Sequence, residues 1–301
     1  MYASTSPKGI HWTELSQPTS RELASIIREL KLTEADARLC LEKETRPGWY
    51  LNNRYLILSM TVPIFFKKMR VTAGGSILFV VMENQLVTIH HEEIPLLKHL
   101  YESISKNPDK FLDQQNTQPI DLFIKLIELL NQGTYRKIER VAKYINIVEA
   151  AVFQGNERKM VEEISFLTRD VMDIRKIVRP HRNLFTSLPS HTLFRAELYD
   201  NWLSLKHGMS DIDGALDMLY ESIQQLSQTN TTLLQHKVNE LLRLLALYSS
   251  IAIPALILIS PFNPRSPTAT LTDVVVYWGI LSILILLLLF IFFRFRGKRV
   301  L

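Results

Sequence analysis

The sequence contains little cysteine and little glycine, and it lacks the common catalytic motifs. Its 301 residues include one cysteine, Cys40, and ten glycines. A single cysteine cannot form a disulfide framework or a cysteine metal cluster within one chain. The P-loop, the dinucleotide-binding pattern G-x-G-x-x-G and the hydrolase pattern G-x-S-x-G do not occur. We therefore expect no enzyme activity and no organic cofactor.

Two long runs near the C-terminus lack charge altogether. Residues 244–263 and 274–293 contain no Asp, Glu, Lys or Arg, and about 20 apolar residues are enough to cross a bilayer core. Basic residues flank the outer ends of the two runs, namely His236, Lys237 and Arg243 before the first and Arg294, Arg296, Lys298 and Arg299 after the second. The positive-inside rule then places both termini in the cytoplasm.

The N-terminus lacks both the apolar core of a secretory signal and an Arg-rich amphipathic presequence. Together with the two uncharged runs, this favours a multi-pass protein of a prokaryotic plasma membrane, in contact with lipid. The net charge of +5 is partly explained by the basic residues that flank the runs. Because no basic patch with interleaved aromatic residues accompanies that charge, we expect no nucleic-acid partner.

One long helix over residues 195–262 is predicted to organise the chain. Its apolar residues recur at spacings of four and three, which is typical of a heptad seam, and they are Leu198, Trp202, Leu205, Met209, Ile212, Leu216, Leu219, Ile223, Leu226 and Leu233. The end of this stretch coincides with the first uncharged run. The pattern thus predicts a helix that begins in water and ends in lipid.

A second face of this helix carries uncharged polar residues. The same spacing relates Gln225, Gln228, Thr232, Gln235 and Asn239, and the row continues with Leu242, Ala246, Ser249, Ser250, Ile253 and Ser260. The solvated face of a soluble helix explains the glutamines equally well. Inside a bilayer, however, serines on one side indicate a packed or water-lined interface, because lipid offers polar groups no partner.

The rest of the chain divides into two further parts. Residues 1–106 are predicted to form an α+β domain, with strands at 10–15, 55–62, 77–82 and 86–89 and turns at Gly74-Gly75 and Glu83-Asn84. Residues 119–240 are predicted to form a long-helix bundle, with helices over 123–152 and 160–178 that pack beside the long helix. The fold class is therefore an α+β cytosolic domain, a coiled-coil bundle and two C-terminal transmembrane helices in residues 241–301.

Two groups of residues are weak candidates for metal sites. His90, His91, Glu92 and Glu93 are adjacent in sequence, and four adjacent side chains cannot all converge on one ion, so a solvated strand end is favoured. Asp211, Asp213 and Asp217 could attract a divalent ion, although such a run is more often a solvated face.

Several short motifs, in this order, resemble the CorA family of magnesium and divalent-cation transporters. The resemblance covers nearly the whole chain, and it rests on His11-Trp12-Thr13-Glu14-Leu15 with Pro18-Thr19, Arg46-Pro47, Leu86-Val87-Thr88-Ile89-His90, Phe166-Leu167-Thr168-Arg169-Asp170-Val171, and Asn239-Glu240-Leu241-Leu242-Arg243-Leu244-Leu245 with Pro254. The family usually ends its first span with Tyr-Gly-Met-Asn. Here the chain reads Ile259-Ser260-Pro261-Phe262-Asn263 and lacks Gly-Met-Asn.

The resemblance implies a homopentamer that passes Mg²⁺ or a related divalent cation through an axial pore. It implies pore-lining positions at Asn239, Leu242, Leu245, Ala246, Ser249, Ser250, Ile253, Ser260 and Asn263. It also implies that Glu197 and Asp200 bind regulatory Mg²⁺, although exposed acids of the long helix are an equal explanation. The missing Gly-Met-Asn leaves an alternative, a CorA-like membrane-anchored protein with lost or altered conduction.

Overall fold

The computed structural model of the chain describes residues 2–66, 68–112, 118–186, 189, 191–194, 198–259 and 270–296. The chain divides into two compact units, Met1–Ser227 and Gln228–Leu301. The first unit contains a mixed sheet and the helices that cover it. The second contains the later part of one long helix and the C-terminal helix.

A six-stranded mixed sheet forms the centre of the first unit. Its strands are β1 Tyr2–Thr5, β2 His11–Ser16, β3 Gly48–Asn52, β4 Tyr55–Phe66, β5 Val71–Val81 and β6 Gln85–His90. Their order in the sheet is β1-β2-β6-β5-β4-β3. The pairing of β2 with β6 is parallel, with His11 opposite Gln85, and the other neighbours are antiparallel.

Eight α-helices accompany the sheet in the described residues. They are α1 Ser20–Glu29, α2 Glu34–Leu41, α3 Pro95–Lys106, α4 Pro119–Ala151, α5 Glu157–Val178, α6 His181–Leu184, α7 Tyr199–Ile259 and α8 Leu271–Arg296. Side-chain caps fix two of the starts: the Thr19 hydroxyl accepts from the amide of Glu22, and the Thr33 hydroxyl accepts from the amide of Asp36. Such caps satisfy amides that have no partner within the helix.

Each face of the sheet buries a different set of side chains, because alternate residues of a strand point in opposite directions. On one face, Ile57 and Val80 pack with Leu23 and Ile26 of α1. On the other face, Phe79 contacts Phe123 of α4, with ring centroids 5.5 Å apart. The central strands are therefore covered by helices on both sides, which explains their long apolar runs.

An aromatic cluster joins the end of the sheet to the long helices. The ring of Trp49 on β3 lies 6.1 Å from that of Phe123 and 5.7 Å from that of Trp202 on α7. Phe185 and Phe194 complete the cluster, and the indole N–H of Trp49 donates to the carbonyl of Leu184 at 2.9 Å. Edge-to-face rings of this kind add stabilisation beyond their buried area.

The heptad seams predicted for the bundle are buried in the first unit. The seam residues of α7 from Leu198 to Leu226 are buried, apart from the partly buried Leu219. The turn between α4 and α5 contains Gly155 at φ +92°, a conformation that glycine adopts without strain. Ion pairs reinforce the packing: Arg175 of α5 lies 2.5 Å from Asp217 of α7, and Arg182 of α6 lies 3.3 Å from Asp213. The helices predicted over 123–152 and 160–178 are thus confirmed.

The predicted turn at Gly74-Gly75 is wrong, because both glycines lie inside β5. Gly75 pairs with Val62 and Gly74 with Pro63 of β4. A methyl group on Gly75 would lie 2.3 Å from Cδ1 of Ile64, so the glycine allows the Ile64 side chain to approach the strand closely and does not form a turn. The sequence analysis also missed β1, β3 and α3, while the four predicted strands and the Glu83-Asn84 turn are confirmed.

The second unit consists of the remainder of α7 and of α8. Both are helical over the described residues 228–259 and 271–296. A search of the helices within the described part of the chain finds none whose length and apolarity are sufficient to cross a membrane.

His181, at the start of α6, is almost completely buried. Its Nε2 atom accepts a hydrogen bond from the backbone amide of Thr61 at 3.0 Å, so a proton on Nε2 would face an N–H group. Burial lowers the pKa of His181 from 6.5 to about 4. Between these two values the unfolded chain binds a proton that the folded chain does not, so stability falls as the pH is lowered through this window.

We expect His181→Gln to remove this part of the pH dependence. When the pH falls from 7 to 5, the unfolding free energy of the wild-type chain should decrease by about 2 kcal/mol more than that of the variant. Urea unfolding at the two pH values, followed by circular dichroism, measures the difference. His207→Gln is the matched control, since His207 is exposed on α7, and it should keep the wild-type dependence. An equal loss in His181→Gln would refute the assignment.

Candidate functional site

The predicted pore-lining residues that the structure describes lie on α7, in the second unit. Leu242, Leu245 and Ile253 are 56%, 62% and 57% exposed, and Asn239, Ala246, Ser249 and Ser250 are exposed as well. At about 100° per residue, all but Leu245 fall within an arc of about 100°, and Leu245 lies about 40° beyond its edge. These residues therefore form one uncharged face of the helix that carries both polar and apolar side chains. Other sides of this stretch are exposed as well, since Leu241 is 54% exposed.

The two serines of this face have their hydroxyl hydrogens occupied. The Ser249 hydroxyl donates to the carbonyl of Leu245 at 2.8 Å, and the Ser250 hydroxyl donates to the carbonyl of Leu247 at 2.9 Å. Such bonds allow a hydroxyl to remain in a helix that has no water around it. The remaining lone pairs of each oxygen can accept hydrogen bonds from groups beside the helix.

Other predicted site residues lie outside this face or outside the described residues. Asp200 is exposed in the first turn of α7. Glu197, Ser260 and Asn263 lie outside the described residues, as does most of the connection between α7 and α8. The roles given to these four residues stay predictions.

Asp213 and Asp217 of α7 do not form a solvated face, contrary to one of the two sequence interpretations of Asp211, Asp213 and Asp217. Asp213 is 7% exposed and pairs with Arg182, while Asp217 pairs with Arg175. The guanidinium of Arg175 also lies over the ring of Tyr220 at 5.1 Å. Only Asp211 of the three is exposed. The ion pair of Asp217 therefore links α7 to α5, and that of Asp213 links α7 to α6.

The interpretation of His90 as a solvated strand end is also wrong. His90 is 1% exposed, its Nε2 lies 3.2 Å from a carboxylate oxygen of Glu14, and its Nδ1 lies 2.6 Å from the carbonyl of Glu92. His91 instead contacts the carbonyl of Cys40 at 3.1 Å. The two imidazoles thus hold the end of β6 to neighbouring backbone. Within the described parts of the chain, no group of three or more His, Cys, Asp or Glu side chains could hold a metal ion.

Sequence reasoning missed a buried polar network between the sheet and the bundle. Lys137 of α4 donates to the hydroxyl of Thr72 at 2.5 Å, and that hydroxyl donates to a carboxylate oxygen of Asp170 on α5. Burial lowers the pKa of Lys137, and Asp170 opposes that shift. Because Thr72 is 65 residues from Lys137 and 98 from Asp170, no local pattern connects them.

Several solved structures share this fold over 75% to 96% of the chain. The CorA magnesium transporter of Methanocaldococcus jannaschii superposes with a TM-score of 0.76 at 15% identity. The match covers 96% of this chain and 90% of the transporter chain. The full-length CmaX protein superposes with a TM-score of 0.73 at 15% identity, and the match covers 95% of this chain and 88% of CmaX. The cytoplasmic domain of ZntB from Vibrio parahaemolyticus superposes with a TM-score of 0.54 at 10% identity, and the match covers 75% of this chain and 88% of the ZntB domain. At these identities the likeness shows the fold alone.

A sequence comparison identifies the family of the chain. No curated protein matches the chain. A family model described as CorA-like Mg²⁺ transporter protein matches residues 7–299. This range is almost the complete sequence, and it includes strands β2 to β6 and helices α1 to α8. The chain therefore belongs to the CorA-like Mg²⁺ transporter family.

Proposed function

We propose that the protein is a homopentameric channel that passes Mg²⁺ or a related divalent cation through an axial pore. The observation that carries this proposal is the row of uncharged side chains, Asn239, Ser249 and Ser250 among them, along one side of α7 in a chain of a Mg²⁺ transporter family. Five copies would bring that face together around one axis. The sites would then be Asn239, Leu242, Leu245, Ala246, Ser249, Ser250 and Ile253, continued by Ser260 and Asn263 beyond the described residues.

The membrane part of the proposal is supported by the sequence. Two uncharged runs, 244–263 and 274–293, have the length that a bilayer core requires. The first run ends beyond Ile259, outside the described residues, and several side chains of the second run are also undescribed. Basic residues outside both runs favour cytoplasmic termini, and the N-terminal sequence, which has no pattern of a secretory signal or an organelle presequence, favours a plasma membrane. The chain would thus have a cytosolic α+β domain in residues 1–106, a bundle in 119–240 and two spans in 241–301.

Uncharged oxygens are suited to a cation that keeps its water. Mg²⁺ dehydrates reluctantly and is held in proteins with several of its waters. Hydrogens of those waters can donate to the amide oxygen of Asn239 and to the free lone pairs of Ser249 and Ser250. The driving force would be the electrochemical gradient: an inside-negative potential contributes about 2.3 kcal/mol per charge per 100 mV, and twice this for a divalent ion.

Control of flow would come from two further features. Rings of Leu242, Leu245 or Ile253 can close a pore by excluding water from an apolar constriction. Asp200, together with Glu197, would bind Mg²⁺ on the cytosolic side and favour the closed state. No organic cofactor and no nucleic acid takes part.

The second candidate function is a membrane-anchored protein of this family with lost or altered conduction. The missing Gly-Met-Asn motif favours it, because Asn263 lies near the place of the family's outer asparagine but the ungapped register puts Arg265 at that place. The loop after this segment carries only Arg265 before Asp273, so little negative charge concentrates cations there.

Uptake of Mg²⁺ into transport-deficient cells starved of Mg²⁺ separates the two candidates. Wild-type chain should restore uptake, and Asn239→Leu should abolish it, because a ring of leucines would replace the polar entrance with an apolar constriction. Leu241→Ala is the matched control, since Leu241 lies about 160° from Asn239 around the helix, and it should restore uptake. Chromatography of each variant tests whether the oligomer is intact. Wild-type protein that reaches the membrane without restoring uptake would favour the anchor.

A pair of serine variants tests the lining more finely. Ser249 and Ser282 both donate to the carbonyl four residues earlier at 2.8 Å, but only Ser249 belongs to the proposed pore face. In vesicles we expect Ser249→Ala to lower Mg²⁺ flux about tenfold, equivalent to one lost hydrogen bond of about 1.4 kcal/mol. Ser282→Ala should leave the flux unchanged. Equal effects of the two substitutions would exclude Ser249 from the lining.

A further inference from the structure

A cavity of about 660 Å³ lies in the first unit between β4, the start of α3, and helices α4 and α5. This volume falls within the range of about 300–1,000 Å³ that is typical of small-molecule sites. Its walls are mainly apolar and include Ile64, Leu96, Val141, Phe166 and Leu167. The cavity is therefore large enough for a small organic molecule and favourable for an apolar one.

The acids near this cavity are already neutralised. Asp170, the one acid that lines it in the described part of the chain, accepts from Thr72 and lies 3.9 Å from the ammonium of Lys137. Glu163, close by on α5, accepts from Arg70 at 2.7 Å and from the hydroxyl of Tyr144 at 2.7 Å. Neither carboxylate is left to attract a cation.

Two lining cations, in contrast, are not neutralised. Arg136 and Arg140 are exposed residues of α4 that line the cavity, and neither forms an ion pair with an acid in the part of the chain that the structure describes. The cavity thus combines an apolar wall with an excess of positive charge. Its field would repel a divalent cation and attract an anion.

We propose that this cavity binds a small amphiphilic anion, meaning a carboxylate or phosphate group attached to an apolar body. The apolar body would lie against Leu96 and Phe166, and the anion would be bound by Arg140, whose planar guanidinium can donate two parallel hydrogen bonds to such a group. The ligand would be a soluble metabolite or the headgroup end of a lipid. The site belongs to the first unit, and it does not depend on whether the chain conducts ions.

Binding to the full chain in a neutral detergent tests the proposal. Equilibrium dialysis would compare 1-naphthyl phosphate with inorganic phosphate and with 1-naphthol, using empty micelles as the blank. We expect naphthyl phosphate to bind at least about tenfold more tightly than either fragment, because it alone satisfies the arginine and the apolar wall together. No binding of naphthyl phosphate, or equal binding of inorganic phosphate, would overturn the proposal.

Variants at the cavity mouth locate the bound anion. Arg140→Gln should weaken binding of naphthyl phosphate about tenfold, while Arg140→Lys, which keeps the charge, should lose less. The control is Arg169→Gln, an exposed arginine of α5 that does not line the cavity, and it should bind as the wild type does. If Arg140→Gln binds unchanged, the proposal fails.

Competition separates the two sources of the ligand. Displacement of naphthyl phosphate by dioctanoyl phosphatidic acid would identify a lipid headgroup, and displacement by hexyl phosphate alone would identify a soluble ligand. Either result supports the site. A probe that neither compound displaces would show binding elsewhere and would overturn the proposal.

Discussion

The first unit depends on a sheet that is buried on both faces. Strands β4 and β5 supply both cores, since alternate residues contact α1 and α2 on one side and α4 on the other. The apolar residues from Tyr55 to Met60 of β4 and from Ile77 to Val81 of β5 are consequently inaccessible to water, whereas Phe65 and Phe66 at the end of β4 are exposed. The long helices pack on this platform through the aromatic cluster around Trp49 and through the arginine pairs of Asp213 and Asp217. Loss of the sheet would remove the surface on which the bundle is positioned.

The two units use charge in opposite ways. In the first unit, carboxylates of α5 and α7 are paired with lysine or arginine, and they fix helices to one another and to the sheet. On the proposed pore face of α7, polar groups are uncharged, and the serine hydroxyls are satisfied by their own helix. A rigid charged scaffold and a neutral polar face suit different tasks. Fixed charges position structure, whereas neutral oxygens can exchange partners with water at low cost.

The spacing of apolar residues predicted those helices that bury one apolar stripe. The helices over 123–152 and 160–178 and the seam of α7 were predictable because each repeats apolar residues at heptad spacing over many turns. Helix α3 carried a usable signal, with Pro95 in its first turn and Leu97, Leu100 and Ile104 buried at helical spacing. Gly74-Gly75 was misread because close packing against β4 and a turn both favour glycine. The row of uncharged polar residues on α7 could be found in the sequence because it follows the same spacing of four and three as the apolar seam. The cavity and the Thr72 network join residues that are distant in sequence, so no local pattern could reveal them.

The parallel pairing of β2 with β6 has a consequence for synthesis. His11 lies opposite Gln85, so the N-terminal hairpin of β1 and β2 cannot pair with β6 until residues 85–90 have left the ribosome. During that interval the inner edge of β2 offers unpaired amides and carbonyls, a known route to association between nascent chains. Contacts of such long sequence separation also slow folding. A chaperone that shields this edge until β6 has been synthesised would therefore lower the risk of association between nascent chains.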